Sequence, residues 1–193
     1  MTLGSLFRKF RLARIIGTGR ARRLINPFYA VLPAKSSLLE IGSGGGHIAM
    51  LLVEKGFRVT PLDVTDLSAF KEMIPILYNG KNIPFPNSSF DVATLITVLH
   101  HVPEPEIVLE EAIRVAPIVI VVEDTYTSPT QKWLTFVMDS VTNLEFFGHP
   151  HSNRTSTQWM ETFEKLGIDA TIIDTSPFWL LFESTTFMLH RRK

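Results

Sequence analysis

The sequence predicts an α/β fold in which helices cover both faces of a mostly parallel sheet. Short apolar runs alternate along the chain with stretches of helical spacing, which is typical of a doubly wound parallel sheet. The length of 193 residues fits one domain. A composition of 45% hydrophobic and 20% charged residues is that of a globular chain and excludes a disordered or collagen-like protein.

Seven short segments have the apolar, bounded pattern of buried strands. The last two are joined by residues 175–184 without a helical pattern, which predicts an antiparallel return at the edge of the sheet. The series Thr155-x-x-Gln158 is a capping box that opens a late helix, and Gly167 ends it. The predicted strands are 38–41, 57–62, 74–78, 92–98, 118–122, 170–174 and 185–190. The other predicted helices of this region are 48–55, 66–73, 104–115 and 130–143.

The beginning of the chain has a helical pattern of its own. Apolar residues recur at helical spacing over residues 3–13, and Gly17 and Gly19 are expected to end that helix. A second short helix is predicted over residues 20–32, with a break near Asn26. The chain is therefore divided into a basic helical arm, residues 1–35, and a domain, residues 36–193.

The net charge of zero hides an uneven distribution of charge. Residues 1–39 contain eight basic residues and no acidic one, so the remainder carries a net charge of −8. Three interpretations of the basic arm stay open. It covers the domain and its ligand, it lies on a membrane surface through residues 1–16, or it contacts nucleic acid. Nucleic acid ranks last because the rest of the chain is acidic.

Composition also excludes several kinds of site. No cysteine is present, so disulfides, thiol nucleophiles and thiolate metal sites are excluded. The longest apolar run, residues 116–122, is far shorter than the roughly 20 residues that a membrane-spanning helix needs. No secretory signal is expected, because basic residues interrupt each apolar stretch near the start. A cytoplasmic protein is predicted, peripheral to a membrane only if residues 1–16 bind one.

A glycine-rich turn follows the first predicted strand. It reads Glu40-x-Gly42-x-Gly44-x-Gly46, and Asp63 ends the second strand. Glycines let the backbone approach a ligand closely, and the next helix offers its positive N-terminal end. A carboxylate at the end of the second strand suits the two hydroxyls of a ribose. The pattern indicates a nucleotide-like cofactor, and the alternative is a tight turn without a ligand.

Two cofactor types use this arrangement. The dinucleotide fingerprint is Gly-x-Gly-x-x-Gly, but His47 stands here in place of the third glycine, so a nicotinamide-dependent oxidoreductase matches only in part. The pattern acid-x-Gly-x-Gly-x-Gly matches in full. It resembles the first motif of class I S-adenosylmethionine-dependent methyltransferases. A non-catalytic module that keeps the same cofactor fold is a further alternative.

Later segments resemble the small-molecule branch of that superfamily, which includes the ubiquinone and menaquinone biosynthesis methyltransferases. The resemblance extends over about residues 37–190 and implies a Rossmann-like sheet of seven strands, mostly parallel, with an antiparallel last strand. It also implies S-adenosyl-L-methionine as the cofactor. The segments that carry it are 80–91 (Gly-Lys-Asn-Ile-Pro-Phe-Pro-Asn-Ser-Ser-Phe-Asp), 98–102, 109–115 and 119–123.

The resemblance also implies roles for individual residues. Glu40 is expected beside the methionine amino group, and Asp63 is expected to hold the ribose hydroxyls. Asn79 stands where relatives often have an aspartate that meets the adenine amino group. Thr97 and Val98 are expected to flank the cofactor at the end of the fourth strand. The full cofactor-binding set is Glu40, Gly42, Ser43, Gly44, Gly46, Asp63, Asn79, Gly80, Thr97 and Val98.

Candidate catalytic groups follow the fourth strand. His101 is the preferred general base, because a histidine ordinarily titrates near neutrality and this one stands at the ligand-binding edge. His100 is the second candidate, and either histidine is alternatively a packing or capping residue. Glu123 and Asp124 end the fifth strand, where they line an acceptor pocket or are only solvated or capping. No metal is predicted, because His100, His101, His149 and His151 form no tight ligand motif.

The predicted acceptor is a small molecule of apolar or aromatic character. Large apolar side chains are dense in residues 133–147, which form either an acceptor pocket or a helix packed on the sheet. They are also dense in the loop at residues 178–182, which is buried, at a subunit interface or near a hydrophobic ligand. Methyl transfer needs no covalent bond to the protein, so positioning is expected to supply most of the catalysis. A base adds to it only for an acceptor that must lose a proton.

Overall fold

The computed structural model of the protein describes residues 17–127, 131, 153–178 and 182–192. Seven strands form one sheet in the order β3-β2-β1-β4-β5-β7-β6. The first five strands are mutually parallel, and β7 runs antiparallel to both of its neighbours. The predicted fold class is therefore confirmed. The strands are β1 (Ser37–Ile41), β2 (Arg58–Asp63), β3 (Ile76–Leu77), β4 (Val92–Ile96), β5 (Ile118–Thr125), β6 (Ile168–Phe178) and β7 (Phe182–Arg191).

Helices pack on both faces of this sheet, as predicted. They are α1 (residues 17–25), α2 (His47–Glu54), α3 (Pro105–Val115) and α4 (Ser156–Lys165), with short 3-10 turns at Tyr29–Val31, Lys71–Met73 and Leu99–His101. The predicted capping box is confirmed, since the Thr155 hydroxyl and the Gln158 side chain each accept a backbone N–H of the other residue. Gly167 follows α4 with a φ of 65°. None of the described helices is long and apolar enough to cross a bilayer.

Two apolar cores lie against the two faces of the sheet. The core beneath α3 and α4 contains Leu95, Leu109, Val121, Trp159, Phe163 and Phe187. The core beneath α1 and α2 contains Ile25, Phe28, Leu38, Leu52, Ile96 and Ile120. The second core thus includes residues from the described part of the predicted arm. The arm boundary at residue 35 stays a sequence-based interpretation.

The helix predicted at residues 66–73 is wrong except for its final turn. Side chains of this segment bond to the backbone near them: Asp66 accepts the Ser68 N–H, and the Ser68 hydroxyl donates to the Phe70 carbonyl. Such local bonds compete with the helical ladder. The helical part is limited to the 3-10 turn Lys71–Met73.

Several predicted boundaries also change. Gly17 and Gly19 do not end a helix, because both lie within the helical residues 17–25. The fourth strand ends at Ile96 rather than residue 98, because Thr97 has a φ of 54°, which leaves the extended conformation. The fifth strand continues through Thr125, since β7 pairs with it along its full length.

Some predictions fall outside the described residues. These are the helix at residues 3–13 with the membrane contact assigned to residues 1–16, most of the helix at 130–143, the apolar segment 133–147, the histidines His149 and His151 that were considered as metal ligands, and the centre of the loop at 178–182. Gln131 is described and is helical.

Candidate cofactor and acceptor site

The glycine-rich turn is tied directly to the end of β2. The N–H groups of Gly42 and Ser43 both donate to the Leu62 carbonyl, at 2.8 and 3.2 Å. Gly42 and Gly44 have φ values of 73° and 49°, which side chains rarely adopt. A Cβ on Gly42 would lie 2.5 Å from Cγ2 of Val98, whereas nothing lies within 4 Å of a Cβ on Gly44. The turn is therefore closed against Val98 and open in front of Gly44.

The Asp63 carboxylate lies against this turn. It is buried, and its Oδ2 atom accepts the Gly44 N–H at 2.7 Å. Its Oδ1 atom accepts the N–H groups of Val64 and Thr65 at 2.7 and 3.3 Å. Because β1 and β2 are parallel neighbours, the acid and the glycine-rich turn meet at the carboxyl edge of the sheet, where the sequence predicted them.

Glu40 is the second carboxyl group at this edge. Within the described part of the chain, its Oε2 atom is buried without a hydrogen-bond partner. Burial raises the pKa of Glu40 from 4.5 to about 8; the Ala49 backbone N–H opposes this rise, and the negative charge of Asp63 adds to it. An unsatisfied buried oxygen is costly and suits a ligand that brings a donor or a positive charge. The cationic amino group of S-adenosylmethionine fits this requirement.

A second turn, Thr97–His101, faces the glycine-rich turn from the end of β4. The Thr97 N–H donates to the Val122 carbonyl at 2.7 Å. The next two N–H groups, of Val98 and Leu99, donate to Oε1 of Glu123 at 2.9 and 2.7 Å. Glu123 is fully buried. Glu123 is therefore not solvated, and it accepts the N–H groups at the start of the turn as a capping residue does; its part in an acceptor pocket stays a prediction.

The two histidines of this turn differ in their surroundings. His100 is buried, and its Nδ1 atom lies 2.5 Å from Oε2 of Glu123. His101 is half-buried, and its ring centroid lies 4.0 Å from that of His100. Both residues follow β4 at the predicted edge, and their assignment as bases stays a prediction. Sequence reasoning missed the Glu123–His100 pair, which joins residues from two strands.

Asn79 and Gly80 lie beyond β3, beside the Asp63 end of the site. The amide oxygen of Asn79 accepts the N–H groups of Lys81 and Asn82 at 2.9 and 2.8 Å. Gly80 has a φ of 77°. The family resemblance implied that this side chain meets the adenine amino group. Its oxygen already accepts two backbone N–H groups of the turn, and the contact with adenine stays a prediction. Tyr78 was not singled out from the sequence; burial and the nearby charge of Asp63 raise its pKa to about 12.

His47 connects the first helix to the glycine-rich turn. It opens α2 directly after Gly46, its ring lies edge-on to Phe70 at 5.1 Å, and its Nδ1 atom lies 3.4 Å from the Thr18 hydroxyl. From the sequence, His47 was only a departure from the dinucleotide fingerprint. In the structure, His47 packs between α1 and the glycine-rich turn.

The loop between β3 and β4 is held by one arginine. Arg114 donates to both carboxylate oxygens of Glu111 and to the carbonyls of Ile83 and Phe85. Glu111 in turn accepts the Ile83 N–H at 2.8 Å. This clamp explains the Glu111-x-x-Arg114 spacing that contributed to the resemblance. A signal for it was present in the sequence, since an acid and a base three residues apart share a helix face.

No group of three or more metal-ligating side chains comes together within the residues that the structure describes. His149 and His151 lie outside them. The site at the carboxyl edge is built from the glycine-rich turn, the Thr97–His101 turn with its two histidines, and the carboxyl groups of Glu40, Asp63 and Glu123.

A family model described as a methyltransferase domain matches residues 11–171. The chain belongs to this methyltransferase family. The match covers the glycine-rich turn, the Thr97–His101 turn and the Arg114 clamp, so the resemblance inferred from the motifs is confirmed. Family membership supports S-adenosyl-L-methionine as the cofactor, and the open Gly44 and the unsatisfied Glu40 oxygen are compatible with it.

Relatives of this methyltransferase chain include quinone biosynthesis enzymes. It is similar to the ubiquinone biosynthesis O-methyltransferase of Paramagnetospirillum magneticum, with 34% identity over 95 residues, 45% of this chain and 36% of the relative. It is also similar to the ubiquinone/menaquinone biosynthesis C-methyltransferase of Rickettsia typhi, with 29% identity over 120 residues, 52% of this chain and 48% of the relative. The matched part is less than half the length of each of these curated relatives.

A solved structure shows the same fold. A SAM-dependent methyltransferase from Aquifex aeolicus superposes with a TM-score of 0.60 and 16% identity, covering 89% of this chain and 97% of that one. The two proteins therefore share this fold.

Proposed function

We propose that the protein transfers a methyl group from S-adenosylmethionine to a small apolar or aromatic acceptor. The observation that carries the proposal is the convergence of Glu40 and Asp63 on the glycine-rich turn. The Glu40 carboxyl group is buried with one oxygen that lacks a hydrogen-bond partner in the described residues, and the Asp63 carboxylate accepts the Gly44 N–H. Two acidic groups beside an open turn suit a cationic ligand with a ribose, because charge and hydrogen-bond capacity are both complementary.

Each residue of the site would bind a different part of the cofactor. Glu40 would hold the amino group of the methionine part, and Asp63 the ribose hydroxyls. Gly42 and Gly44 would let the backbone approach the ligand, and the Thr97–His101 turn would cover it from the β4 side. Bound S-adenosylmethionine supplies an electrophilic methyl group on a sulfonium.

The contribution of the chain to the reaction is positioning. Holding two reactants in line contributes up to roughly 7–11 kcal/mol to catalysis, and no covalent bond to the protein is needed. The packing of Val98 on Gly42 fixes the spacing of the two turns. For an acceptor that must lose a proton, His101 is the proposed base.

The acceptor class is supported by the names of the relatives. Both curated relatives described above are named for quinone biosynthesis, one as an O-methyltransferase and the other as a C-methyltransferase. The two names agree on quinone biosynthesis and differ in the methylated atom, which is oxygen in one and carbon in the other. We therefore propose phenolic and quinone-like compounds as the first acceptors to test.

A nicotinamide cofactor is disfavoured by a specific contact. The dinucleotide fingerprint needs a glycine at position 47, where helix and strand approach closely. The His47 ring instead occupies the space beside Gly45, 3.0 Å from where a Cβ on that glycine would lie.

Calorimetric titration with S-adenosylmethionine, S-adenosylhomocysteine and oxidised nicotinamide dinucleotide tests the proposal. We expect binding of the first two compounds and none of the third. Transfer of labelled methyl groups to a panel of phenols, carboxylic acids and amines would then define the acceptor. Binding of the dinucleotide alone would overturn the proposal, and binding of S-adenosylmethionine without transfer to any acceptor would favour a non-catalytic module.

A further inference from the structure

The buried carboxylate of Glu123 makes three hydrogen bonds, all of them to the Thr97–His101 turn. It lies in β5, on the face that also carries Val119 and Val121 into the core beneath α3 and α4. Its Oε1 atom accepts two backbone N–H groups, and its Oε2 atom faces Nδ1 of His100. A buried carboxylate is retained only where it is well bonded. The Thr97–His101 turn supplies the bonds that let this carboxylate stay buried.

The turn that it holds is strained at its first residue. Thr97 is β-branched and has a φ of 54°, in the left-handed region that such side chains avoid. Strained residues persist where the surroundings fix them, and they concentrate at functional sites. The two N–H groups that follow Thr97 in the chain are those that Glu123 accepts. Its carboxylate therefore fixes the path of the chain as it leaves β4.

The same turn touches the cofactor side of the site. Val98 packs so closely over Gly42 that a Cβ there would lie 2.5 Å from Cγ2 of Val98. Any movement of the Val98 backbone changes this contact. A chain of direct contacts thus runs from Glu123 through Val98 to the glycine-rich turn.

The other oxygen of Glu123 reaches the histidine pair. A carboxylate oxygen can only accept, so Nδ1 of His100 is the donor and the neutral ring carries its proton there. This bond fixes the orientation of a buried ring. The ring of His101 lies against it, with centroids 4.0 Å apart and planes inclined by 44°. The position of His101 therefore depends on Glu123 through His100.

We propose that Glu123 is a positioning residue of the methyl-transfer site, which sets both the Val98 contact with the cofactor turn and the orientation of the histidine pair. This inference rests on the proposed function for its kinetic consequence. Its structural consequence, the protonation pattern of His100, is independent of any activity.

The variant Glu123→Gln separates the two roles of the carboxylate. Two N–H groups point at one side-chain oxygen, so the glutamine must place its own oxygen there and turn its NH₂ group towards His100. Nδ1 of His100 would then have to accept, and the neutral ring would carry its proton on Nε2. The variant Glu123→Ala removes both roles. Glu110→Gln, an exposed carboxyl on α3, is the matched control.

Two measurements on the full chain test the proposal. Nitrogen-15 spectra of the histidine rings should show the Nδ1–H tautomer of His100 in the wild type and in Glu110→Gln, and the Nε2–H tautomer in Glu123→Gln. Single-turnover methyl transfer by Glu123→Gln should be slowed roughly 10- to 100-fold, the effect of a misplaced group, while its dissociation constant for S-adenosylhomocysteine changes less than about threefold. Glu123→Ala should weaken binding as well and expose the Val98 and Leu99 amides to hydrogen exchange.

The outcomes are distinguishable. An unchanged His100 tautomer in Glu123→Gln would overturn the proposal, whether or not the protein transfers methyl groups. A changed tautomer with an unchanged transfer rate would also overturn it and leave Glu123 a folding residue. Failure of the wild type to bind S-adenosylhomocysteine would instead contradict the proposed function, and the tautomer measurement would still decide the structural part.

Discussion

A methyl group added to Gly17 would lie 2.5 Å from Nε2 of His47. Gly17 belongs to α1, and His47 is the first residue of α2, directly after the glycine-rich turn. The ring of His47 is also confined by Gly45 and Phe70. The helix α1 therefore packs against the glycine-rich turn through His47, and this contact leaves no room for a side chain at position 17.

Gly17→Ala is expected to destabilise the protein, and Gly19→Ala is its control in the same helix. The alanine at position 17 must displace a confined ring, and overpacking of this kind costs about 1–3 kcal/mol. Nothing lies within 4 Å of a Cβ at Gly19, so alanine there should stabilise the helix by roughly 0.5–1 kcal/mol. Urea denaturation measures both free energies of unfolding. Equal effects of the two variants would mean that α1 does not rest on His47.

Asp63→Asn is expected to weaken cofactor binding by at least about tenfold. Each charge-assisted hydrogen bond that a carboxylate loses costs roughly 1.5–3 kcal/mol, and about 1.4 kcal/mol is a factor of ten. Calorimetric titration with S-adenosylhomocysteine measures the change. Asp66→Asn is the matched control, because this exposed acid bonds only to a nearby N–H group in the described structure. An unchanged affinity of Asp63→Asn would remove Asp63 from the cofactor site.

Glu40→Gln is expected to change how stability depends on pH in the ligand-free protein. The folded protein keeps the Glu40 proton up to a pKa of about 8, while the unfolded chain loses it near 4.5. The wild type therefore loses stability relative to the variant as pH rises between these values, with a slope approaching about 1.4 kcal/mol per pH unit. The difference should level off above the folded pKa.

Urea denaturation of both proteins across this pH range measures the difference. Glu54→Gln, an exposed carboxyl at the end of α2, controls for the loss of one negative charge. Parallel pH profiles of the wild type and Glu40→Gln would show that Glu40 stays ionised, which would contradict the burial seen in the structure.

Arg114→Lys is expected to loosen the loop between β3 and β4. A lysine cannot bind both oxygens of Glu111 and the carbonyls of Ile83 and Phe85 at once, so the free energy of unfolding should fall by about 1–3 kcal/mol. Arg192→Lys is the control, since its pair with Asp169 is exposed and should change stability by less than about 1 kcal/mol. Hydrogen exchange should increase at residues 83–88 in Arg114→Lys alone. Unchanged exchange there would mean that the clamp does not hold the loop.

His101→Gln should lower the methyl-transfer rate about 10²–10⁴-fold for an acceptor that must lose a proton, with nearly unchanged cofactor affinity. The measurement is single-turnover transfer as a function of pH. His190→Gln, an exposed histidine of β7, is the control. An unchanged rate and pH profile in His101→Gln would remove this residue from the candidate bases.

The sequence predicted the parts of the site that depend on neighbouring parallel strands. Glu40 and Asp63 lie near the carboxyl ends of two strands that follow each other in the chain, and consecutive strands of a doubly wound sheet usually lie side by side. Their meeting at one edge was therefore foreseeable. The glycine pattern added the open turn between them.

The parts that could not be predicted depend on pairings between distant segments. The bond between Glu123 and His100 needs the register of β4 on β5 and the face on which each side chain lies. Gly17 shows a second reason why sequence prediction failed. Glycine commonly follows the end of a helix, so the pattern predicted a helix end there. In the structure, Gly17 is helical and allows the close approach of His47. Propensity does not distinguish these two uses.

The place of β7 in the sheet has a consequence for synthesis of the protein on the ribosome. β7 is the last of the seven strands along the sequence, yet it lies between β5 and β6. A nascent chain that has emerged only as far as β6 can assemble the five parallel strands, but β6 has not yet gained its pairing partner β7. Until residues 182–191 emerge, the Ile-Val-Ile-Val-Val edge of β5 stays open to other chains. Chaperone protection during translation is expected to matter most in that interval.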